Sequence, residues 1–160
     1  MKPSRFFTYA ALVILAGGVA IWYIISTSQQ TVTPQDSEAD IVMYKNEGCQ
    51  CCDKWATYMQ SNGFSVSTVN AGNLNEVKTR YGVPHTMGAC HTAVIDGYVV
   101  EGHVPVEDVR RLLEERPDAI GVAVPGMPAS SPGMNTAEDV PYESYLVDKQ
   151  GNIEVFGRHR

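Results

Sequence analysis

The sequence is organised around residues 48–55, which read Gly48-Cys49-Gln50-Cys51-Cys52-Asp53-Lys54-Trp55. Three of the four cysteines of the chain lie in this segment. An apolar run over residues 41–44 precedes it and a helix-like pattern over residues 51–61 follows it. The pattern predicts a strand and then a helix whose first turn carries the thiols. The C-x-x-C spacing places Cys49 and Cys52 on one face of that turn, with Cys51 between them.

The fourth cysteine, Cys90, is followed directly by His91 at the start of a second apolar run. We expect the fold to bring this Cys-His pair against the turn that carries the other three cysteines.

The remaining patterns predict an α/β domain. Period-two alternation indicates strands, caps and apolar stripes indicate helices, and an Asp-Gly pair at residues 96–97 indicates a hairpin. In chain order we predict a strand at 41–45, helix 51–61, strand 64–69, helix 74–81, hairpin strands 92–95 and 98–102, helix 106–116, a Pro-Gly-Met loop at 121–134, and a second hairpin of strands 142–147 and 153–156.

This order resembles the thioredoxin fold, a central mixed sheet flanked by helices, with an added C-terminal hairpin that joins the sheet or packs beside it. In the thioredoxin fold a thiol pair begins the first helix, and a cis-proline before the hairpin faces it. His91 stands at the position of that proline here, so that Cys90 and His91 present two donor groups to the helix start.

The N-terminal segment predicts export from the cytoplasm. Residues 6–25 carry no charge and follow Lys2 and Arg5, and about 20 apolar residues suffice to span a bilayer core. Because basic flanks stay on the cytoplasmic side, we expect residues 1–28 to be an inner-membrane anchor, with a cleaved signal peptide as the alternative. Residues 29–39 are then a flexible tether and residues 40–160 the exported domain.

The charge balance argues against one class of partner. The formal net charge is −6 at pH 7, and no basic run follows the N-terminal segment. Nucleic acid is therefore not an expected ligand.

The cysteines allow three interpretations in an oxidising compartment. Cys49–Cys52 and Cys51–Cys90 could be structural disulfides, or Cys49 and Cys52 could be the redox couple of a thiol–disulfide oxidoreductase. Neither explains a third thiol in the same turn. Four gathered thiolates repel by several kcal/mol per pair at an effective dielectric constant of about 20, which favours bound cations. Soft sulfur donors with nearby imidazole select Cu(I), and Zn(II) is also compatible.

Other donors are weaker candidates. His103 follows the first hairpin, in a loop expected near the helix starts. Met127 and Met134 lie in the Pro-Gly-Met loop rather than on an apolar stripe, and thioethers are soft donors. His85 is expected to be a solvated loop residue, and His159 is expected in a disordered terminal tail.

Four segments together carry a family resemblance: Gly48-Cys49-Gln50-Cys51-Cys52, Ala89-Cys90-His91-Thr92-Ala93-Val94, Gly97-Tyr98-Val99-Val100-Glu101-Gly102-His103-Val104-Pro105, and Val124-Pro125-Gly126-Met127-Pro128 with Ser131-Pro132-Gly133-Met134. They resemble the bacterial CopG-type copper-resistance proteins, long described as a domain of unknown function, over about residues 41–156. The resemblance implies a periplasmic, thioredoxin-like protein that holds a cysteine-bridged multinuclear copper cluster and serves copper tolerance.

The resemblance also implies a ligand set, with Cys49, Cys51, Cys52 and Cys90 as the cluster cysteines by position. We add a second group as further candidate metal ligands: His91, His103, Met127 and Met134. The expected partners are copper ions, the inner membrane and other periplasmic copper-handling proteins. Storage, transfer and redox cycling of copper all stay open, and so does enzymatic activity.

Overall fold

A computed structural model describes residues 39–134 and 136–160. Their helices and strands, in chain order, are β1 (Ile41–Lys45), α1 (Gln50–Ser61), β2 (Val66–Asn70), α2 (Leu74–Arg80), a 3₁₀ turn (His85–Met87), β3 (His91–Ile95), β4 (Tyr98–Glu101), α3 (Val106–Glu115), β5 (Ala119–Ala123), β6 (Tyr142–Asp148) and β7 (Ile153–His159).

The described residues form one seven-stranded sheet, in the order β2-β1-β3-β4-β5-β6-β7, with three α-helices. The β1–β2 and β4–β5 pairs are parallel, and each is joined by a helix, α1 or α3. The other neighbouring strands are antiparallel. The predicted mixed α/β class is therefore confirmed, and the second hairpin joins the sheet instead of packing beside it.

The core lies between the sheet and the apolar faces of α1 and α3. On α1, Trp55 and Met59 lie one turn apart and are fully buried, as expected for the inner face of an amphipathic helix. On α3, Val109 and Leu112 are fully buried. They pack with alternate residues of the strands, including Ile41, Met43, Ala93, Ile95, Val100 and Val122.

Two predictions about the C-terminal third are wrong. Residues 119–123 form strand β5, whereas we predicted a loop from residue 121. The apolar run there is short and broken by Gly121, and the strand exists because β4 and β6 hydrogen-bond to it from both sides. His159, predicted to lie in a disordered tail, ends strand β7.

His159 is held by a buried polar contact. Its Nε2 lies 2.7 Å from Oδ2 of Asp108, which is buried in the first turn of α3. Ser144 of β6 donates to the same carboxylate oxygen at 2.5 Å. Arg111 adds a second connection, because its guanidinium lies 4.1 Å from the centre of the Phe156 ring and donates to the Phe156 carbonyl. The C-terminal hairpin is therefore fastened to α3 as well as to the sheet.

The predicted anchor at 1–28 and the tether, up to residue 38, lie outside the described residues. Among the residues that are described, no helix is long and apolar enough to cross a membrane.

We predict that His159→Ala lowers the free energy of unfolding by about 1–3 kcal/mol, because it removes a hydrogen bond to a buried carboxylate. Urea denaturation measures the change. The control is His85→Ala, at an exposed histidine of the 3₁₀ turn, which should change stability by less than about 0.5 kcal/mol. Equal effects of the two substitutions would contradict the Asp108–His159 contact.

Candidate metal centre

The sheet register brings distant parts of the chain to one edge. In the antiparallel pair β1–β3, Lys45 at the end of β1 lies opposite His91 at the start of β3. The turn that follows β1 therefore meets the residues that precede β3. Strand β4 ends at Glu101, which pairs with Ala123 at the end of β5, so the loops after β4 and β5 emerge at the same edge.

The four cysteines meet at this edge, and their sulfur atoms all lie within 4.8 Å of one another. Cys49 and Cys52 are joined as a disulfide, whereas Cys51 and Cys90 are free thiols. The Cys51 sulfur lies 3.6 Å from that of Cys49 and 3.9 Å from that of Cys90. The predicted meeting of Cys90 with the cysteine turn is confirmed. The alternative of a second structural disulfide, Cys51–Cys90, is not seen, since both residues are free thiols.

Two buried histidines extend the donor set. Nε2 of His103 lies 3.0 Å from the Cys90 sulfur, and Nδ1 of His91 lies 3.4 Å from it. His103 donates from Nδ1–H to the carbonyl of Pro132 at 2.7 Å, so in the neutral ring Nε2 carries the lone pair that faces the sulfur. Such a second contact fixes the tautomer and orientation of a metal-binding histidine.

Trp55 holds the His91 ring from the side of α1. The ring centres are 4.6 Å apart, and the indole N–H donates to the Val104 carbonyl at 2.9 Å. The sequence pattern alone indicates only that Trp55 lies on the predicted helix 51–61. Its position three residues after Cys52, on the inner face of the helix, is the signal that could have linked it to the site.

The loop of residues 124–134 covers the start of α1. At Gly133, where φ is +89°, a β-carbon would lie 2.8 Å from the backbone nitrogen of Trp55 and 3.0 Å from the carbonyl oxygen of Cys51. Only glycine allows this approach without strain. Next to it, Met134 is half-buried, and Met127 is 56% exposed beside Gly126. Both methionines therefore lie in the loop that closes the site, and their role as ligands stays a prediction.

Burial favours the neutral forms of His91, His103 and Cys90. It lowers the pKa of His91 well below its ordinary value, with further contributions from His103 and Lys78, and it lowers the pKa of His103. Burial, reinforced by Cys51, raises the pKa of the Cys90 thiol to about 12. Without metal the site therefore holds few charges.

The donor set fits a soft metal ion. Nε2 of His91 is buried and has no hydrogen-bond partner among the described residues, and such an atom costs about 1–3 kcal/mol. The other ring nitrogen of His91, Nδ1, faces the Cys90 sulfur, and thiolate and imidazole are the ligands that Cu(I) and Zn(II) prefer. Cys90, His91 and His103 form one possible ligand group and the four cysteines another.

Fold and site together define a mixed α/β protein in which partly buried sulfur atoms and two buried imidazoles form a group that could hold a metal ion. A family described as "Protein of unknown function, DUF411" matches residues 87–134. A solved structure described as copper resistance protein copG, Form 2, is 40% identical, with a TM-score of 0.72 over 75% of this chain and 97% of that one. Form 1 is 41% identical, with a TM-score of 0.71 over 74% and 95%. No curated protein matches.

The chain therefore belongs to the CopG copper-resistance protein family, as its motifs predicted.

We predict that Cys90 alkylates slowly in the metal-free protein with the Cys49–Cys52 disulfide intact. Because only the thiolate reacts, a pKa of about 12 means that the rate rises about tenfold per pH unit and shows no plateau between about pH 7 and pH 10. Mass spectrometry of iodoacetamide-treated protein measures the rate. A plateau near pH 9.5, expected for an ordinary thiol with a pKa of about 8.5, would contradict the burial effect.

Proposed function

We propose that this protein binds Cu(I) in the periplasm as part of copper resistance, at the site of the four cysteines, His91 and His103. The observation that carries the proposal is the meeting of the four cysteine sulfur atoms, with two buried imidazoles beside the Cys90 sulfur. Copper is preferred to zinc because the similar solved structures are described as a copper resistance protein. The bound ions supply positive charge that offsets repulsion among thiolates.

The Cys49–Cys52 disulfide must be reduced before all four cysteines can bind copper. A disulfide sulfur is not a thiolate, so with Cys49 and Cys52 joined the site offers two thiols and two imidazoles. A dithiol reductant would supply two electrons and two protons to the bond, become a disulfide itself and release two more thiols. The reduced site could then hold several Cu(I) ions, because crowded sulfur atoms can bridge metal ions.

Three further proposals concern the setting of the site. The domain is exported and fixed to the inner membrane by residues 1–28, as their apolar pattern predicts. The elements from β1 to α3 form a thioredoxin-like unit to which β5, β6 and β7 are added; the element order and the helix-borne thiols support this. Met127 and Met134 act as additional soft donors from the covering loop.

We predict that reduced protein, loaded with Cu(I) without oxygen, retains more copper per chain than protein with the disulfide intact. Cys51→Ser and His103→Ala should each weaken Cu(I) binding at least about tenfold, because each removes a donor. Competition with a Cu(I) chelator measures affinity, and X-ray absorption at the copper edge measures Cu–S and Cu–Cu distances.

The matched control is His85→Ala, at an exposed histidine, which should bind copper as the wild type does. Reduced wild-type protein that retains no copper in this assay would overturn the proposed function.

The disulfide supports a second candidate function, thiol–disulfide exchange by Cys49 and Cys52. In that case Cys51→Ser and His91→Pro should keep disulfide-reductase turnover, since neither replaces a member of the couple, whereas Cys52→Ser should abolish it. For copper binding, the prediction for Cys51→Ser and His91→Pro is the reverse: both lose affinity. Turnover of a model disulfide and Cu(I) affinity, measured on the same variants, decide between the two functions.

A further inference from the structure

Glu101 is a buried charged residue at the end of an inner strand, β4, close to the cysteine site. It ends β4 and is 1% exposed. The surrounding strand is apolar, and carboxylates are almost never buried without partners. The copper proposal gives this residue no role, since the sulfur and imidazole donors lie elsewhere.

The carboxylate holds the chain on both sides of Cys90 and His91. One oxygen accepts from the backbone N–H of Ala89 at 2.6 Å, and the other accepts from the hydroxyl of Thr92 at 2.7 Å. Thr92 and Glu101 are direct cross-strand partners, so their side chains lie on the same face of the sheet. Ala89 and Thr92 are the residues immediately before and after the Cys-His pair.

Lys78 of α2 keeps this carboxylate in place. Its ammonium group forms an ion pair with Glu101 and donates to the Thr92 hydroxyl at 3.0 Å. The lysine side chain is 14% exposed. A buried ion pair of this kind contributes little net stability. Its main effect is therefore to keep the Glu101 carboxylate in place beside Ala89 and Thr92.

Backbone hydrogen bonds next to Glu101 also hold the segment of Cys90 and His91 against β4. The N–H of Gly102 donates to the carbonyl of His91 at 3.0 Å, and the N–H of Val124 donates to the carbonyl of Glu101 at 2.9 Å. At Gly102, with φ at +73°, a β-carbon would lie 2.5 Å from the Ala89 β-carbon. The Cys90 segment is therefore pressed directly against the end of β4.

We infer that Glu101, charge-paired with Lys78, is a positioning residue of the metal site: its carboxylate fixes the backbone of residues 89–92 so that Cys90 and His91 face the cysteine turn. This inference rests on the proposed copper function. Such outer partners of ligands typically govern metal affinity by about 10–100-fold.

The test compares two double variants that both lack the buried lysine charge. Lys78→Met with Glu101→Gln retains an amide oxygen for the Ala89 N–H, whereas Lys78→Met with Glu101→Leu has a similar size and no acceptor. The leucine variant should bind Cu(I) about 10–100-fold more weakly than wild type, and the glutamine variant should stay within about threefold of it. Chelator competition under reducing, anaerobic conditions measures both.

Hydrogen exchange at the Ala89 amide of the metal-free protein gives a second readout that needs no copper. It should rise in the leucine variant and stay near the wild-type value in the glutamine variant, because the Ala89 N–H loses its acceptor only in the former. The control is Asp108→Asn, at another buried carboxylate with two side-chain donors. It should lower stability and leave both Cu(I) affinity and Ala89 exchange unchanged.

Equal Cu(I) affinity in the two double variants would overturn the positioning role, and so would equal Ala89 exchange. If the leucine variant does not fold, Thr92→Val decides instead. It keeps the side-chain shape and removes one donor to Glu101, so a several-fold loss of affinity supports the inference and wild-type affinity overturns it. Wild-type protein without Cu(I) affinity would overturn the copper function itself, and Ala89 exchange would then decide alone whether Glu101 holds the segment.

Discussion

The antiparallel pairing of β1 with β3 is the constraint on which the site depends. With Lys45 opposite His91, the end of one strand and the start of the other share an edge of the sheet, and the two cysteine-bearing segments must meet there. A shift of register by one residue would turn every side chain of a strand to the opposite face. It would also separate the Cys90 sulfur from the Cys51 sulfur, now 3.9 Å away. The buried alternation of β1, with Ile41 and Met43 in the core, makes such a shift costly.

Burial of the site favours neutral thiols and imidazoles, whereas metal binding requires negatively charged sulfur. Without metal its groups are neutral, since burial raises the pKa of Cys90 and lowers those of both histidines. A metal ion requires deprotonated sulfur, so binding and proton release are linked. The two lysines that are largely buried at this end of the sheet do not supply the missing charge, because Lys45 is paired with Asp53 and Lys78 with Glu101. A soft cation bound among the sulfur atoms would offset the thiolate charge.

The disulfide connects the copper proposal and the thiol-exchange proposal in one structure. Cys49 and Cys52 are bonded through the first turn of α1, while Cys51 points to Cys90 across the edge of the sheet. The same four sulfur atoms can therefore hold one disulfide, which is the form oxidised by two electrons, or present four thiols to metal. The covering loop packs at Gly133 against the helix start that carries Cys51 and Cys52.

Much of this protein can be predicted from local sequence. Strand β1 has the predicted bounds, the helices differ by one residue at an end, and the clustering of Cys49, Cys51 and Cys52 in one turn follows from their spacing. Periodicity determines these features because it reports backbone torsion and the face that each side chain occupies. Tertiary structure alone decided that residues 119–123 form a strand, that His159 reaches Asp108, and that Glu101 holds the segment of Cys90. The physical reason is that these features consist of hydrogen bonds between residues far apart in the chain, whose partners no local pattern specifies.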